Sequence, residues 1–146
     1  MNPSDTTISQ SALQLVSYSA AFKDHLVNPR NVGPFDDANC TAEETNPVCG
    51  DTLKLFLRVS EGRVTRAGFL AYGCPATIAC GSAITELITG RSVEDALSID
   101  RKMIDEQVGG LPPRKNHAAA LAIETFHRAV AKHSYGDVNL GRTPEG

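Results

Sequence analysis

The sequence contains no long hydrophobic run, no cluster of basic residues and no pair of cysteines spaced as C-x-x-C. Because no apolar stretch approaches the roughly 18 residues of a membrane span, we expect no membrane partner. Neither a Lys/Arg-rich run nor an aromatic stacking motif is present, and the formal net charge is −3, so nucleic acid is not an expected partner either. No charged-then-apolar leader indicates secretion, and the expected compartment is cytoplasmic.

The missing C-x-x-C spacing removes the strong signals of a zinc ribbon or a thioredoxin-like redox motif. Four cysteines are present nevertheless: Cys40, Cys49, Cys74 and Cys80. In a cytosolic chain such cysteines are more often metal ligands, catalysts or core fillers than disulfide partners. Their spacing alone does not identify a metal.

What the chain does contain is typical of one soluble globular domain: 146 residues, of which 41% are hydrophobic and 21% charged. We expect a loose polar arm over residues 1–16, a folded domain over 17–134 and a polar tail over 135–146. No internal repeat or low-complexity block divides the folded part.

Strands are expected first. Residues 52–59 alternate between apolar and polar side chains, which predicts a strand with one buried face. The turn "SEGR" leads into a second strand ending at "AY", in which Gly68 suggests a β-bulge. The segment around "NCTAEETNP" is a weaker candidate for a third strand. A small antiparallel sheet follows from this pattern.

Helices are expected after the strands, apart from one near residues 17–27. An apolar stripe of Ala76, Cys80, Ala83 and Leu87 predicts a helix that ends at Gly90. "SVED" resembles a capping box, and "DRKMIDEQV" carries a further apolar side. The last helix should run from about residue 115 to 132 along a stripe that begins at Ala119. This order indicates an α+β fold with helices packed on one face of the sheet.

Three loops at element ends carry residues that are capable of chemistry. In "NPVCGD", a turn presents Cys49 and Asp51, although a turn with a half-buried cysteine and an acidic residue would look the same. Cys74 lies beside the start of a helix, with Pro75 at the first helical position. The helix dipole there favours the thiolate, which is both the metal-binding and the nucleophilic form.

The third loop is "GGLPPRKNH", which places His117 in the first turn of the last helix. His117 lies about 160° from Ala119 around that helix, so it does not face the core direction. A histidine at such a position is by itself more often solvated or capping. Taken together with Cys49, Asp51 and Cys74, however, it completes an S₂NO donor set suited to zinc or to an iron–sulfur cluster.

Cys80 does not belong to this set. It lies six residues after Cys74, about 240° around the helix and about 9 Å along it, so the two thiols could not easily share a tetrahedral metal. Cys80 is therefore expected to pack as a small hydrophobic residue.

Four motifs in the same order resemble those of the IscU-type iron–sulfur cluster scaffolds and the N-terminal domain of NifU. They are "HLVNPRNVG", "NPVCGD", "YGCPATIACGSAITELITG" and "GGLPPRKNH". The resemblance extends from about Tyr18 to Lys132. It implies a three-stranded antiparallel sheet with helices packed on one face.

The resemblance also implies a scaffold or carrier rather than an enzyme. Cys49, Cys74 and His117 would be ligands, and Asp51 would contact the metal or tune its release. Such scaffolds receive sulfur from a cysteine desulfurase, hold a transient [2Fe-2S] cluster, pass it to apo-proteins, and often bind zinc at the same site.

The chain departs from the family pattern at Ala118, where a third cysteine usually acts as ligand and sulfur acceptor. Two alternatives follow: a zinc-binding sulfurtransferase-like protein using Cys49 or Cys74, and a divergent paralog with structural zinc. A homodimer sharing one cluster is a further hypothesis, since it would make up for the lost cysteine. The sequence "PPRK" also weakens the family's chaperone motif, and no insertion of the zinc-dependent sulfurtransferase branch lies between Cys74 and His117.

Overall fold

The computed structural model describes residues 19–111 and 115–142, with side chains up to residue 131. The predicted arm over residues 1–16 and the two prolines that precede His117 lie outside the described residues. The elements in chain order are α1 (Ala20–Val27), β1 (Cys40–Thr45), β2 (Thr52–Ser60), β3 (Arg63–Tyr72), α2 (Pro75–Ile88), α3 (Val93–Ala96), α4 (Arg101–Gln107) and α5 (Asn116–Arg142).

The three strands form one antiparallel sheet in the order β1-β2-β3. This arrangement confirms the predicted α+β fold, including the uncertain first strand. Alternate side chains of β2 point to opposite faces. Leu53, Leu55 and Leu57 are buried in the hydrophobic core against α2 and α5. On the other face, the ammonium group of Lys54 lies 5.3 Å from the ring centre of Phe56.

The sheet contains a β-bulge, but not at the predicted residue. Arg58 pairs with Arg66 and Val59 pairs with Val64, which leaves Thr65 as the extra residue of β3. The extra residue increases the local twist just after the β2–β3 turn.

Gly68, where the sequence predicts the bulge, pairs in register with Phe56. A glycine is needed there because a Cβ atom would lie 2.4 Å from the carbonyl oxygen of Gly33. The backbone of the loop between α1 and β1 runs along the edge of β3 at this point. The N–H of Gly33 donates to the Phe69 carbonyl at 2.7 Å, and the N–H of Phe69 donates to the Asn31 carbonyl at 3.0 Å. The glycine therefore signals a close backbone approach rather than a bulge.

Helix α2 is buried on almost every side. The predicted stripe faces the core, since Ala76, Cys80 and Ala83 are fully buried and Leu87 is half-buried. Thr77, Ala79, Gly81, Ser82, Ile84, Thr85 and Ile88 are buried as well. The stripe prediction is too narrow because α1, α4 and α5 pack around α2 on the sides that the sheet leaves open.

Helix α5 carries the predicted core stripe, with Ala119 and Phe126 buried. Arg128 forms an ion pair with Glu44 of β1, which ties α5 to the sheet. The sequence predicts an end near residue 132, whereas α5 continues to Arg142. Glycines in the extension suggest a break, but a glycine inside a helix costs only about 1 kcal/mol relative to alanine. No helix among the described residues is long and apolar enough to cross a bilayer.

Candidate metal centre

The loop between β1 and β2 is closed by its own backbone. Asn46 donates from its amide to the Asp51 carbonyl at 2.8 Å, and Gly50 donates to the Asn46 carbonyl at 2.7 Å. Gly50 has φ +79°, a conformation that favours glycine. The closed turn leaves Cys49 exposed at its tip and directs Asp51 inward, where only 5% of the residue is accessible.

The Asp51 carboxylate lies at the centre of the candidate site. Its Oδ1 accepts a hydrogen bond from the Cys74 backbone N–H at 3.2 Å. Its Oδ2 accepts from the Cys74 thiol at 3.1 Å and from the Thr77 hydroxyl at 2.9 Å. The Nε2 atom of His117 lies 3.4 Å from the same oxygen.

Hydrogen bonds keep this buried carboxyl in its charged form. Burial by itself raises the pKa of Asp51, but hydrogen bonds from the side chains of Cys74, Thr77 and Cys49 and from the Cys74 backbone outweigh it. The net pKa of Asp51 is therefore lowered below its ordinary value of 3.8. Asp51 is ionised at neutral pH and available as an oxygen ligand.

Cys74 is the N-cap residue of α2, and Pro75 is at the first helical position, as predicted. The Cys74 side chain accepts no capping hydrogen bond from a backbone N–H of its own helix, although its Sγ atom lies 3.6 Å from the Thr77 hydroxyl. Its thiol instead points to Asp51 and is partly exposed. Cys74 thus begins helix α2 and also lines the candidate site.

His117 reaches the site from the first turn of α5, with 30% of its side chain exposed. Among the side chains that the structure describes, donor atoms of Cys49, Asp51 and His117 lie within 4.8 Å of one another. Cys74 is outside that mutual distance but contacts Asp51. The structure therefore brings together three of the four predicted ligands and places the fourth against their central carboxylate.

The remaining thiols and histidines with described side chains lie elsewhere. Cys80 is fully buried in the core, as predicted, and burial raises the pKa of its thiol. Cys40 is 4% exposed on β1. His25 is buried beside Ser82, its Nδ1 2.7 Å from the Ser82 hydroxyl. Ala118, next to His117, is 1% exposed and belongs to the hydrophobic core.

Thr77 is the residue of this site that sequence reasoning missed. It is fully buried in the first turn of α2, and its hydroxyl donates to Asp51. The available signal is its position three residues after Cys74, because residues i and i+3 of a helix lie on one side. That signal gains meaning only once Asp51 is known to face the start of α2.

A three-stranded antiparallel sheet covered by helices, with thiol, carboxylate and imidazole donors at one sheet end, defines a small α+β domain with a candidate metal centre. Residues 17–138 match the family model of the NifU-like N terminal domain. The chain belongs to this family.

Curated relatives share much of the sequence. The chain is 40% identical over 116 residues to iron-sulfur cluster assembly scaffold protein IscU 1 of Archaeoglobus fulgidus, covering 80% of this chain and 76% of the relative. It is 39% identical over 122 residues to iron-sulfur cluster assembly scaffold protein IscU of Escherichia coli, covering 81% of this chain and 94% of the relative. Both are named as scaffold proteins and not as enzymes.

Solved structures support the fold. A NifU-like N-terminal protein from Brucella abortus aligns with a TM-score of 0.64 at 15% identity, covering 80% of this chain and 94% of that one. A SUF-system protein from Fervidobacterium islandicum aligns with a TM-score of 0.64 at 20% identity, covering 77% and 96%. At these identities the likeness concerns the fold alone.

Proposed function

We propose that this protein is an iron–sulfur cluster scaffold or carrier, which holds a [2Fe-2S] cluster as cargo and passes it to apo-proteins. Its ligands would be Cys49, Asp51, Cys74 and His117. The observation that carries the proposal is the convergence of the Cys49, Cys74 and His117 side chains on the ionised carboxylate of Asp51. Membership of the family, and the scaffold names of relatives about 40% identical, support the same role.

The donor set suits this cargo. Thiolate and imidazole are the usual protein ligands of iron–sulfur clusters, and four donors complete the two irons of a [2Fe-2S] unit. The same S₂NO set suits tetrahedral zinc, so zinc would occupy the site when no cluster is present. Cys49 is exposed and His117 is partly exposed, which leaves the site open to an acceptor protein.

The supply of sulfur is the step at which this chain departs from its family. Ala118 has no thiol that could accept sulfur, and Cys40 and Cys80 are buried. Sulfur from a cysteine desulfurase would therefore have to reach Cys49 or Cys74. A carrier that receives a finished cluster would need no such step.

The first experiment measures iron, zinc and acid-labile sulfide per chain after anaerobic purification, followed by reconstitution with ferric iron and sulfide. We expect a visible-absorbing cluster, and Cys74→Ala and His117→Ala should each abolish it. Cys40→Ala, which removes a thiol far from Asp51, is the matched control and should retain it. A cluster-to-chain ratio of one half would indicate a shared cluster in a homodimer.

Full cluster retention in both Cys74→Ala and His117→Ala would contradict the ligand assignment. One zinc per chain with no sulfide after reconstitution would favour a zinc protein, either a sulfurtransferase-like protein or a paralog with structural zinc.

A second experiment separates the sulfurtransferase alternative, which the exposed thiol of Cys49 favours. The protein is incubated with a cysteine desulfurase and cysteine, and each thiol is examined by mass spectrometry. Addition of a sulfur atom to Cys49 or Cys74 would support a sulfur-accepting role. No addition to any cysteine would exclude the sulfurtransferase and leave the carrier and the paralog with structural zinc.

A further inference from the structure

We propose that Thr77 is a positioning residue that restricts Asp51 to coordination of the metal through one oxygen atom. The inference rests on the proposed metal site and concerns a residue outside its ligand set. The surroundings of Asp51 Oδ2 are crowded.

Three groups surround that oxygen: the Cys74 thiol at 3.1 Å, His117 Nε2 at 3.4 Å and the Thr77 hydroxyl at 2.9 Å. The first two are themselves candidate ligands. With a metal bound, the Cys74 sulfur and the His117 nitrogen would bind the metal in place of their contacts with Asp51. Thr77 has no such role, so its hydrogen bond to Asp51 remains.

The other oxygen of Asp51, Oδ1, is held by the backbone at the start of α2. Oδ1 accepts a hydrogen bond from the Cys74 backbone N–H at 3.2 Å. It also packs closely against Gly73, because a Cβ atom added to that glycine would lie only 2.1 Å from Oδ1. The backbone at the start of α2 therefore fixes Oδ1, while Thr77 fixes Oδ2 from the buried side.

Few acceptor positions of the Asp51 carboxylate remain for a metal. A carboxylate offers about four lone-pair positions on its two oxygens. The Cys74 N–H occupies one position of Oδ1, and the backbone at Gly73 packs so closely against this oxygen that it is enclosed. The Thr77 hydroxyl occupies one position of Oδ2. The position that the Cys74 thiol vacates remains for the metal. Asp51 then binds through Oδ2 alone, which suits a four-coordinate metal and disfavours the two-oxygen binding that larger cations such as Ca²⁺ accept.

The test compares Thr77→Ser with Thr77→Ala, two variants that both lack the threonine methyl group and differ only in the hydroxyl. Thr125→Ala is the matched control, because Thr125 is also fully buried in a helix but donates to the Leu121 carbonyl, away from the site. Each protein is titrated anaerobically with Co²⁺, whose visible ligand-field absorption is strong in four-coordinate sites and weak at higher coordination. Metal-free crystals are also compared.

We expect Thr77→Ala to bind Co²⁺ about 10- to 100-fold more weakly, the usual loss when a group supporting a ligand is removed. Its ligand-field absorption should weaken, and Asp51 should adopt a different side-chain conformation in the metal-free crystal. Thr77→Ser and Thr125→Ala should behave as wild type.

Wild-type affinity and absorption in Thr77→Ala, with Asp51 unmoved in the metal-free crystal, would overturn the inference. Failure of the wild-type protein to bind Co²⁺ or Zn²⁺ would instead defeat the proposed site. In that case the metal-free crystal of Thr77→Ala still decides whether Thr77 positions Asp51. Should Thr77→Ala not fold, Thr77→Val supplies the same comparison without a cavity.

Discussion

Gly73 has to be a glycine for two separate reasons. Its φ is +135°, a region that L side chains rarely adopt, and a Cβ atom would lie 2.1 Å from Asp51 Oδ1. Gly73→Ala should therefore cost about 1–3 kcal/mol of unfolding free energy from backbone strain. It should also weaken metal binding, because Asp51 must move. Denaturant unfolding and zinc titration measure the two effects.

Gly90→Ala is the control that separates the effect of backbone strain from the effect of a collision between side-chain atoms. Gly90 has φ +90°, and an added Cβ atom there meets nothing within 4 Å. It should lower stability by a comparable amount and leave zinc affinity unchanged. Equal zinc affinity in Gly73→Ala and wild type would show that the contact between the added Cβ atom and Asp51 does not affect metal binding.

At the level of single residues, the sequence predicts the loops that carry the candidate ligands but not the residue that supports them. Glycine and proline around Cys49 and Cys74 predict loops at strand and helix ends, because their backbone preferences are local. Thr77 could not be predicted in this way. Its role depends on a contact with Asp51, 26 positions away in the sequence.

At the level of elements, local patterns predict most of the fold. Period-two alternation locates β2, and the capping serine at position 92 locates α3, since its hydroxyl does accept from the Asp95 N–H. The failures are tertiary. Gly68 indicates a bulge from sequence but faces the Gly33 carbonyl, and the burial of α2 on nearly all sides depends on which helices pack around it.

Helix α1 is joined to α2 through a buried histidine, which should make stability depend on pH. Burial, reinforced by Arg30, lowers the pKa of His25 below its ordinary value of 6.5, although Glu86 and Asp24 act in the opposite direction. In the folded protein His25 is therefore neutral at pH values where the unfolded chain already binds a proton. Unfolding free energy should fall as the pH drops below about 6.5, by at most about 1.4 kcal/mol per pH unit.

His25→Gln should flatten the pH dependence of the unfolding free energy. The measurement is denaturant unfolding of the metal-free protein between about pH 7.5 and 5, in steps of about half a pH unit. His127→Gln, an exposed position on α5, is the control and should keep the wild-type slope. Asp51 does not interfere, because its pKa is lowered from 3.8 and its contribution is lost only at more acidic pH. An unchanged slope in His25→Gln would rule out His25 as the source.

At the level of the whole molecule, the candidate site joins parts of the chain that are far apart in sequence. Cys49 and Asp51 come from the β1–β2 loop, Cys74 from the start of α2 and His117 from the start of α5. A metal bound by all of them would link the sheet to two helices in the folded state, and the unfolded chain would lack this arrangement of ligands. Metal should therefore stabilise the entire domain.

The size of this effect follows from the free metal concentration. At 100 times the dissociation constant, zinc should add about 2.7 kcal/mol to the free energy of unfolding, and a chelator should reverse the gain. Cys49→Ser is the informative variant: its thiol is exposed, so the metal-free protein should change by no more than about 0.5 kcal/mol. At the same zinc concentration its gain should be smaller, because a ligand is lost. A full gain in Cys49→Ser, measured by thermal unfolding with and without zinc, would remove Cys49 from the ligand set and leave the metal to Asp51, Cys74 and His117.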